Sequence, residues 1–268
     1  AVDAVAVTGR APGVESPKYI APLRDIPQTI AVVPRTVIEA QGATTVSEAL
    51  RNVPGISMQA GEGGVPAGDN LTLRGFSART DLFIDGVRDF GGYSRDPFNL
   101  EQIEVVKGPA STHSGRGSTG GSINLASKAA RRGEFNRASV SVGDNQLLRA
   151  TADLNHEIGD SAAFRINLMS HANEVNGRDA VESERWGVAP SLSFGLGGDT
   201  VATFSLFHLE QDNVPDYGQP WVPASNNAVP ASRDARAPVD RSNFYGLLAR
   251  DYEDTSTDVA TFTVRHAF

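Results

Sequence analysis

From residue 134 onward the chain alternates between apolar and polar positions. Ala138, Val140 and Val142 alternate with Arg137, Ser139 and Ser141. Leu148, Ala150, Ala152 and Leu154 alternate with Arg149, Thr151, Asp153 and Asn155. The same beat returns at 164–168, 186–194, 202–206 and 260–265. A period of two sends successive side chains to opposite faces of a strand, so these segments predict about six strands, each with one apolar and one polar face. A soluble β-sandwich alternates in the same way. Two features favour a membrane barrel. Connections near Gly159-Asp160 and 197–199 are tight, whereas 211–256 is long, and outer-membrane barrels have short turns on one side and long loops on the other. The polar faces also carry Arg, Asp and Asn at mid-strand, which a wet or plugged lumen accommodates better than a dry core.

Ahead of residue 130 the texture is mixed α/β. Residues 1–16 combine a short apolar stretch at 2–7 with Gly9, Pro12 and Gly13, and read as an arm. Residues 30–33, 70–75, 81–85, 103–107 and 122–127 read as short strands. Residues 34–40 and 47–53 read as short helices; Thr44 and Thr45 are cap candidates for the second, and Pro54-Gly55 stops it. The predicted layout is an arm over 1–16, a mixed α/β domain over 17–130, and about six barrel strands over 131–268.

Composition narrows the functions. The 268 residues carry 24 basic and 32 acidic side chains, a formal net charge of −8, which argues against a general grip on nucleic acid. There is no cysteine, so disulfides, thiol catalysis and thiolate metal sites are excluded. No apolar run approaches the ~20 residues of a membrane helix, which says nothing against strands crossing a membrane. No secretory signal stands at the start, so the sequence reads as cytosolic or already processed.

Gly115, Gly117 and Gly120 spell G-x-G-x-x-G, but a dinucleotide loop passes from a strand into a helix, and 122–127 (SINLAS) reads as a strand. The five histidines, His113, His156, His171, His208 and His266, are too far apart in sequence to suggest a metal site. No Ser-His-Asp grouping is evident, and an enzyme would need a convergent polar site that the sequence does not reveal.

Four segments in order carry a family resemblance. They are 25–56 (DIPQTIAVVPRTVIEAQGATTVSEALRNVPGI), 73–76 (LRGF) with 83–87 (FIDGV), 100–109 (LEQIEVVKGP) and 115–127 (GRGSTGGSINLAS). Together they resemble the plug domain of TonB-dependent outer-membrane receptors. The arm segment 5–9 (VAVTG) resembles the family's TonB box, which maps it to Val5, Ala6, Val7 and Thr8. Residues 88–98 (RDFGGYSRDPF), 216–223 (DYGQPWVP) and 240–255 (DRSNFYGLLARDYEDT) are most similar to catecholate-type ferric-siderophore receptors.

The resemblance implies a mixed α/β plug followed by antiparallel transmembrane strands of a roughly 22-stranded barrel. Closed barrels start at about eight strands, so about six imply an incomplete part of a longer chain. It also implies a receptor in the outer membrane of a Gram-negative bacterium, its TonB box facing the periplasm. The partners implied are TonB with its inner-membrane complex, a ferric siderophore, and outer-membrane lipid. Iron stays within the siderophore, so no cofactor, protein metal ligand or covalent step is expected. An importer of cobalamin, another metal chelate or a saccharide, or a soluble β-rich binding protein, is the alternative.

A ferric tris-catecholate is anionic with aromatic faces, so its pocket calls for Arg and aromatic side chains. The candidates are Arg88, Asp89, Phe90, Tyr93 and Arg95 in a Gly-rich loop, with Tyr217 and Trp221 in the long barrel loop. Residues 61–70 are a further apex candidate. The competing reading is that these arginines pair with Asp89 and Asp96. Arg74 and Arg116 match plug arginines that lock the plug against barrel carboxylates in the family; for Arg74 the alternative partners are Glu101 and Glu104.

Overall fold

The computed structural model describes residues 13–16, 22–59, 68–109, 118–216, 218 and 239–268. The chain divides into two compact units, one built from residues up to Gln59 together with Gly68–Ser127, the other chiefly from Lys128–Phe268.

The first unit opens with strand β1 (Thr29–Pro34) and two short helices, α1 (Arg35–Ala40) and α2 (Val46–Leu50). Thr45 is the N-cap of α2: its hydroxyl accepts from Glu48 N at 3.1 Å, and the Glu48 carboxylate accepts from Thr45 N at 3.2 Å. Two otherwise unanswered amides at the helix start are satisfied this way. Short strands follow: β2 (Ile56–Met58), β3 (Leu71–Leu73), β4 (Phe76–Ser77), β5 (Leu82–Ile84) and β6 (Val87–Arg88). The longer β7 (Leu100–Lys107) and β8 (Gly121–Ser127) complete the unit. They form a sheet in the order β1-β7-β8-β5-β6 and a small sheet β2-β3-β4. Val33, Ile38, Val46, Leu50, Leu71, Leu73, Leu82, Ile103, Val105, Ile123 and Leu125 make one buried core.

The segments read as single strands at 70–75 and 81–85 are hairpins. Leu73 faces Phe76 around Arg74 (φ 55°) and Gly75 (φ 82°); Ile84 faces Val87 around Asp85 (φ 49°) and Gly86 (φ 83°). Two positive-φ residues make the two-residue turn whose twist matches the strands it joins. The partner strands β4 and β6 contain two residues each, too few for alternation to show; β2 was missed for the same reason. At Gly121 (φ 135°) a side chain would start 2.0 Å from the Val106 carbonyl, so β7 and β8 can approach only with glycine here.

The second unit is a six-stranded antiparallel sheet: β9 (Phe135–Val142), β10 (Leu148–Ile158), β11 (Ala162–Glu174), β12 (Glu182–Phe194), β13 (Thr200–Val214) and β14 (Glu253–His266). Each strand pairs with its sequence neighbours, leaving β9 and β14 as the edges. Tight turns at 159–161 and 195–199 lie at one end, and the connections 143–147 and 175–181 at the other, where β13 ends and β14 begins. Strands β13 and β14 run further than alternation suggests. Gln211, Asp212 and Asn213 still pair with Thr255, Asp254 and Glu253, because a backbone ladder continues where side-chain polarity stops alternating.

The faces of this sheet are inverted relative to a soluble sandwich. Asp153, Asn155, Arg165, Asn167, His171, Arg185, Ser191 and Gln211 are buried. Val140, Leu154, Phe164, Leu168, Trp186, Phe204 and Phe262 are exposed on the opposite face. Asp153 pairs with Arg165 at 2.7 Å and with Lys128 at 3.3 Å, so the buried charges are answered within the polar face. An apolar exposed face over a polar inner face is the arrangement of a membrane barrel wall. Among the described residues no helix is long and apolar enough to cross a membrane, which says nothing of strands that cross one.

Leu168→Arg, on the exposed apolar face, is expected to destabilise the protein by about 2–4 kcal/mol in lipid when near the bilayer midplane. Urea unfolding from vesicles measures this, and an unchanged unfolding midpoint would show that this face does not meet hydrocarbon.

Candidate functional site

The Gly-rich loop between β6 and β7 is built around one guanidinium. Arg95 is 3% exposed, and each of its donor nitrogens is engaged. Its Nε and Nη2 donate to Asp89 Oδ2 at 3.0 and 2.7 Å, and Nη2 also reaches the Gly91 carbonyl at 2.9 Å. Its Nη1 donates to Asp69 Oδ2 and to the Tyr93 carbonyl, both at 3.2 Å. The Arg95 backbone joins in: its N–H donates to Asp69 Oδ2 at 3.0 Å, and its carbonyl accepts from Val46 N at 2.9 Å, at the start of α2. A planar fork suits this arrangement of two carboxylates and two carbonyls; a lysine ammonium could not span it.

The carboxylates do further work. Asp69 Oδ1 accepts from the Ser47 hydroxyl at 2.9 Å. Burial pushes the Asp69 carboxyl up from its ordinary value, and Arg95 beside it holds that shift back. Asp89 Oδ1 accepts from Gly91 N at 2.9 Å, closing the loop on itself, and Oδ2 accepts from the Tyr93 hydroxyl at 3.1 Å. Burial pushes the Tyr93 hydroxyl well above its ordinary value, with Asp89 adding to the shift, so Tyr93 donates as a neutral phenol. The Arg95 guanidinium lies 4.3 Å from the centre of the Tyr93 ring. Gly68 (φ 71°) packs so closely that a side chain there would start 2.7 Å from backbone atoms of Gly92 and Tyr93. The segments around residues 68 and 92 are thereby clamped backbone to backbone.

The structure separates the candidate residues into two groups. Tyr93 and Arg95 lie beneath the loop, 5% and 3% exposed, and with Asp89 they hold its shape. Phe90, at the tip, is 69% exposed. Arg88 is partly exposed: its guanidinium is 3.0 Å from Asp81 Oδ1, donates to the Thr80 carbonyl, and sits 4.9 Å from the Phe83 ring centre. The ion pairs of Arg95 are with Asp69 and Asp89, while Asp96 caps the turn at Phe98 N. One residue escaped the sequence reading. Arg79 is exposed, and its guanidinium is 3.9 Å from where a side chain at Gly92 would begin. Only the hairpin pairing places it there, and nothing in its local sequence marks it.

Arg74 is exposed, and among the described residues no carboxylate pairs with it. Glu101 faces Arg35 at 3.6 Å, and Glu104 is buried among other donors, so neither is the partner of Arg74. Val5, Ala6, Val7, Thr8, Arg116, Tyr217, Trp221 and most of the 61–70 segment lie outside the described residues. The two ends of the long connection that contains Tyr217 and Trp221 are gathered by Arg178. Its Nη2 donates to Asp216 Oδ1 at 2.7 Å and to the Gly218 carbonyl at 3.2 Å, and its Nη1 to the Arg241 carbonyl at 2.5 Å. Among the described residues no group of three His, Asp or Glu side chains is arranged to hold a metal ion.

Arg95→Ala would leave the buried Asp69 and the partly buried Asp89 without their cation; breaking a buried pair in this way typically costs about 3–5 kcal/mol. Arg95→Lys is expected to recover only part of the loss. Protease cleavage within 86–96 of the folded protein reads the effect, and wild-type resistance in both variants would show that the loop does not depend on this brace.

Comparison with known proteins places these features. Residues 22–122 match the model of the TonB-dependent receptor plug domain. A probable TonB-dependent receptor of Bordetella pertussis, BfrD, is 46% identical over 253 residues, covering 94% of this chain and 34% of its own length. The catecholate siderophore receptor Fiu of Escherichia coli K12 is 42% identical over 256 residues, 93% of this chain and 34% of its own. The closed-form crystal structure of the ferric-catecholate import receptor Fiu superposes with a TM-score of 0.87 at 41% identity, covering 94% of this chain and 36% of that one. The siderophore receptor PiuA from Acinetobacter baumannii superposes with a TM-score of 0.87 at 38% identity, covering 96% of this chain and 36% of that one. The chain spans about a third of the length of the curated relatives it matches. Over the residues it spans, it belongs to the TonB-dependent receptors, with the plug domain of that family followed by antiparallel strands of its barrel.

Proposed function

We propose that this chain is the plug and leading barrel portion of a Gram-negative outer-membrane receptor that imports a ferric siderophore, of catecholate type, with energy delivered through TonB. The observation that carries the reading is the loop at 88–92. It presents an exposed aromatic, Phe90, with Arg88 and Arg79 close by, on a base held rigid by buried ion pairs. An anionic ferric catecholate is met by cationic and aromatic side chains of this kind. The likeness to receptors named for catecholate siderophores supports the same ligand class.

In this reading Arg88, Phe90 and Arg79 meet the ligand. Asp89, Tyr93 and Arg95 position the loop from below. Tyr217 and Trp221 join from the long connection whose ends Arg178 gathers. The iron is cargo and stays within its chelator, so the protein needs no metal ligands of its own and performs no covalent step. Val5–Thr8 pairs with TonB in the periplasm by strand addition. The exposed apolar face of β9–β14 meets outer-membrane lipid.

The test is titration of the full-length receptor in detergent with a ferric catecholate, a ferric hydroxamate and cobalamin. Saturable binding of the catecholate alone is expected. Arg88→Ala and Phe90→Ala should each weaken it about tenfold, a loss of ~1.4 kcal/mol. Preference for either other ligand would overturn the substrate class. Wild-type affinity in both variants would overturn the assignment of the loop.

A further inference from the structure

The plug sheet buries a carboxylate that the ligand loop does not use. Glu104 lies in the middle of β7 and is 0% exposed. Its surroundings are donors. Oε1 accepts from the backbone N–H of Glu15, from Ser16 N at 3.2 Å and from Gln102 Nε2 at 2.8 Å; Oε2 accepts from Asn124 Nδ2 at 3.0 Å. Two of these donors belong to the N-terminal arm, nearly ninety residues away in sequence. Gln102 Nε2 also donates to the Gly13 carbonyl at 2.8 Å, so β7 reads both polarities of the arm backbone.

We infer that Glu104, oriented by Gln102 and Asn124, is a latch that holds residues 13–16 on the plug and sets the resistance to withdrawing the arm. The orientations of the two amides are not free. Turning Gln102 over loses the Gly13 carbonyl. Turning Asn124 over loses its Oδ1 contact with Gly86 N at 2.8 Å, in the turn leading to Arg88. The carboxylate therefore faces a fixed set of donors, and leaving it buried with part of that set missing is unfavourable. The chain beyond β8 is held differently. Lys128 is 3.3 Å from Asp153, the Ala129 carbonyl accepts from Arg165 at 3.0 Å, and Asn155 brackets the Arg131 backbone at 3.1 and 2.8 Å. A pull on the arm thus meets one carboxylate first, while residues 128–131 are held by one ion pair and three hydrogen bonds to their backbone.

The inference uses the reading of residues 5–8 as the segment TonB grips, but its test does not. Hydrogen exchange of the amides of Glu15 and Ser16 is followed in the full-length receptor without ligand, for wild type, Glu104→Gln and Gln102→Leu. Glu104→Gln places a donor among donors. It should speed arm exchange about tenfold, as expected for hydrogen bonds to a charged acceptor, with a smaller increase in Gln102→Leu. Amides of Ile103, Val105 and Ile123 should keep their wild-type protection. Equal arm exchange in all three proteins would overturn the latch. So would protection lost equally across β7 and β8, which would make Glu104 a sheet residue only. If Glu104→Gln does not fold, unchanged arm exchange in Gln102→Leu contradicts the proposal alone. Failure of catecholate binding or of TonB dependence would leave this result standing.

Discussion

A guanidinium removed from water needs every N–H answered, and Arg95 meets that requirement with Asp69, Asp89 and the carbonyls of Gly91 and Tyr93. The arrangement joins three stretches of chain: the segment entering β3, the loop after β6, and the start of α2 through the Arg95 carbonyl and Val46 N. Because the charges are buried, the geometry tolerates little slack; a lost partner would strand a carboxylate or the cation. The loop can therefore expose Phe90 without losing its shape, with Arg88 held partly exposed beside Asp81. Rigid support beneath an exposed polar and aromatic tip lowers the ordering cost of binding.

The same constraint acts in reverse in the strand unit. Asp153, Asn155, Arg165 and Asn167 are buried, with Asp153 and Arg165 paired, while Leu154, Phe164, Leu168 and Phe204 are exposed on the other face. In water that would be an unfavourable distribution of surface. In a bilayer it is the expected one, because lipid takes the place of a protein core on the apolar face.

Much of this was legible in the sequence. Alternation marked all six long strands, since each has enough residues for a period of two to register. Thr45, one of two cap candidates with Thr44, announced the helix start, and the ordered plug motifs announced the family. The two-residue strands β4 and β6 were not legible, because a hairpin of that size is defined by its turn; Arg74 and Asp85 at positive φ carried the signal. Nor was the division of labour in the loop. Arg88 and Arg95 are the same residue type seven positions apart, yet one is partly exposed and the other is enclosed by Asp69, a residue contributed from outside the loop. Long-range pairing of this kind has no local pattern. The role of Glu104 was hidden likewise: an acidic residue in a strand reads as ordinary until the arm is seen beside it.

In the proposed reading, buried charge holds the loop and the arm in place, and Phe90 with Arg88 and Arg79 meets the ligand. Arg95 and Glu104 are both satisfied inside the plug unit, one beneath the 88–92 loop and one beneath the arm, and Asn124 joins Glu104 to Gly86 in the turn leading to Arg88. The most direct measurement is the structure of the full-length receptor with a ferric tris-catecholate bound. The account predicts the chelate against Arg88 and Phe90, with Arg95 still between Asp69 and Asp89. A chelate bound away from the 88–92 loop, or one that draws Arg95 out of its carboxylates to contact it, would contradict the account.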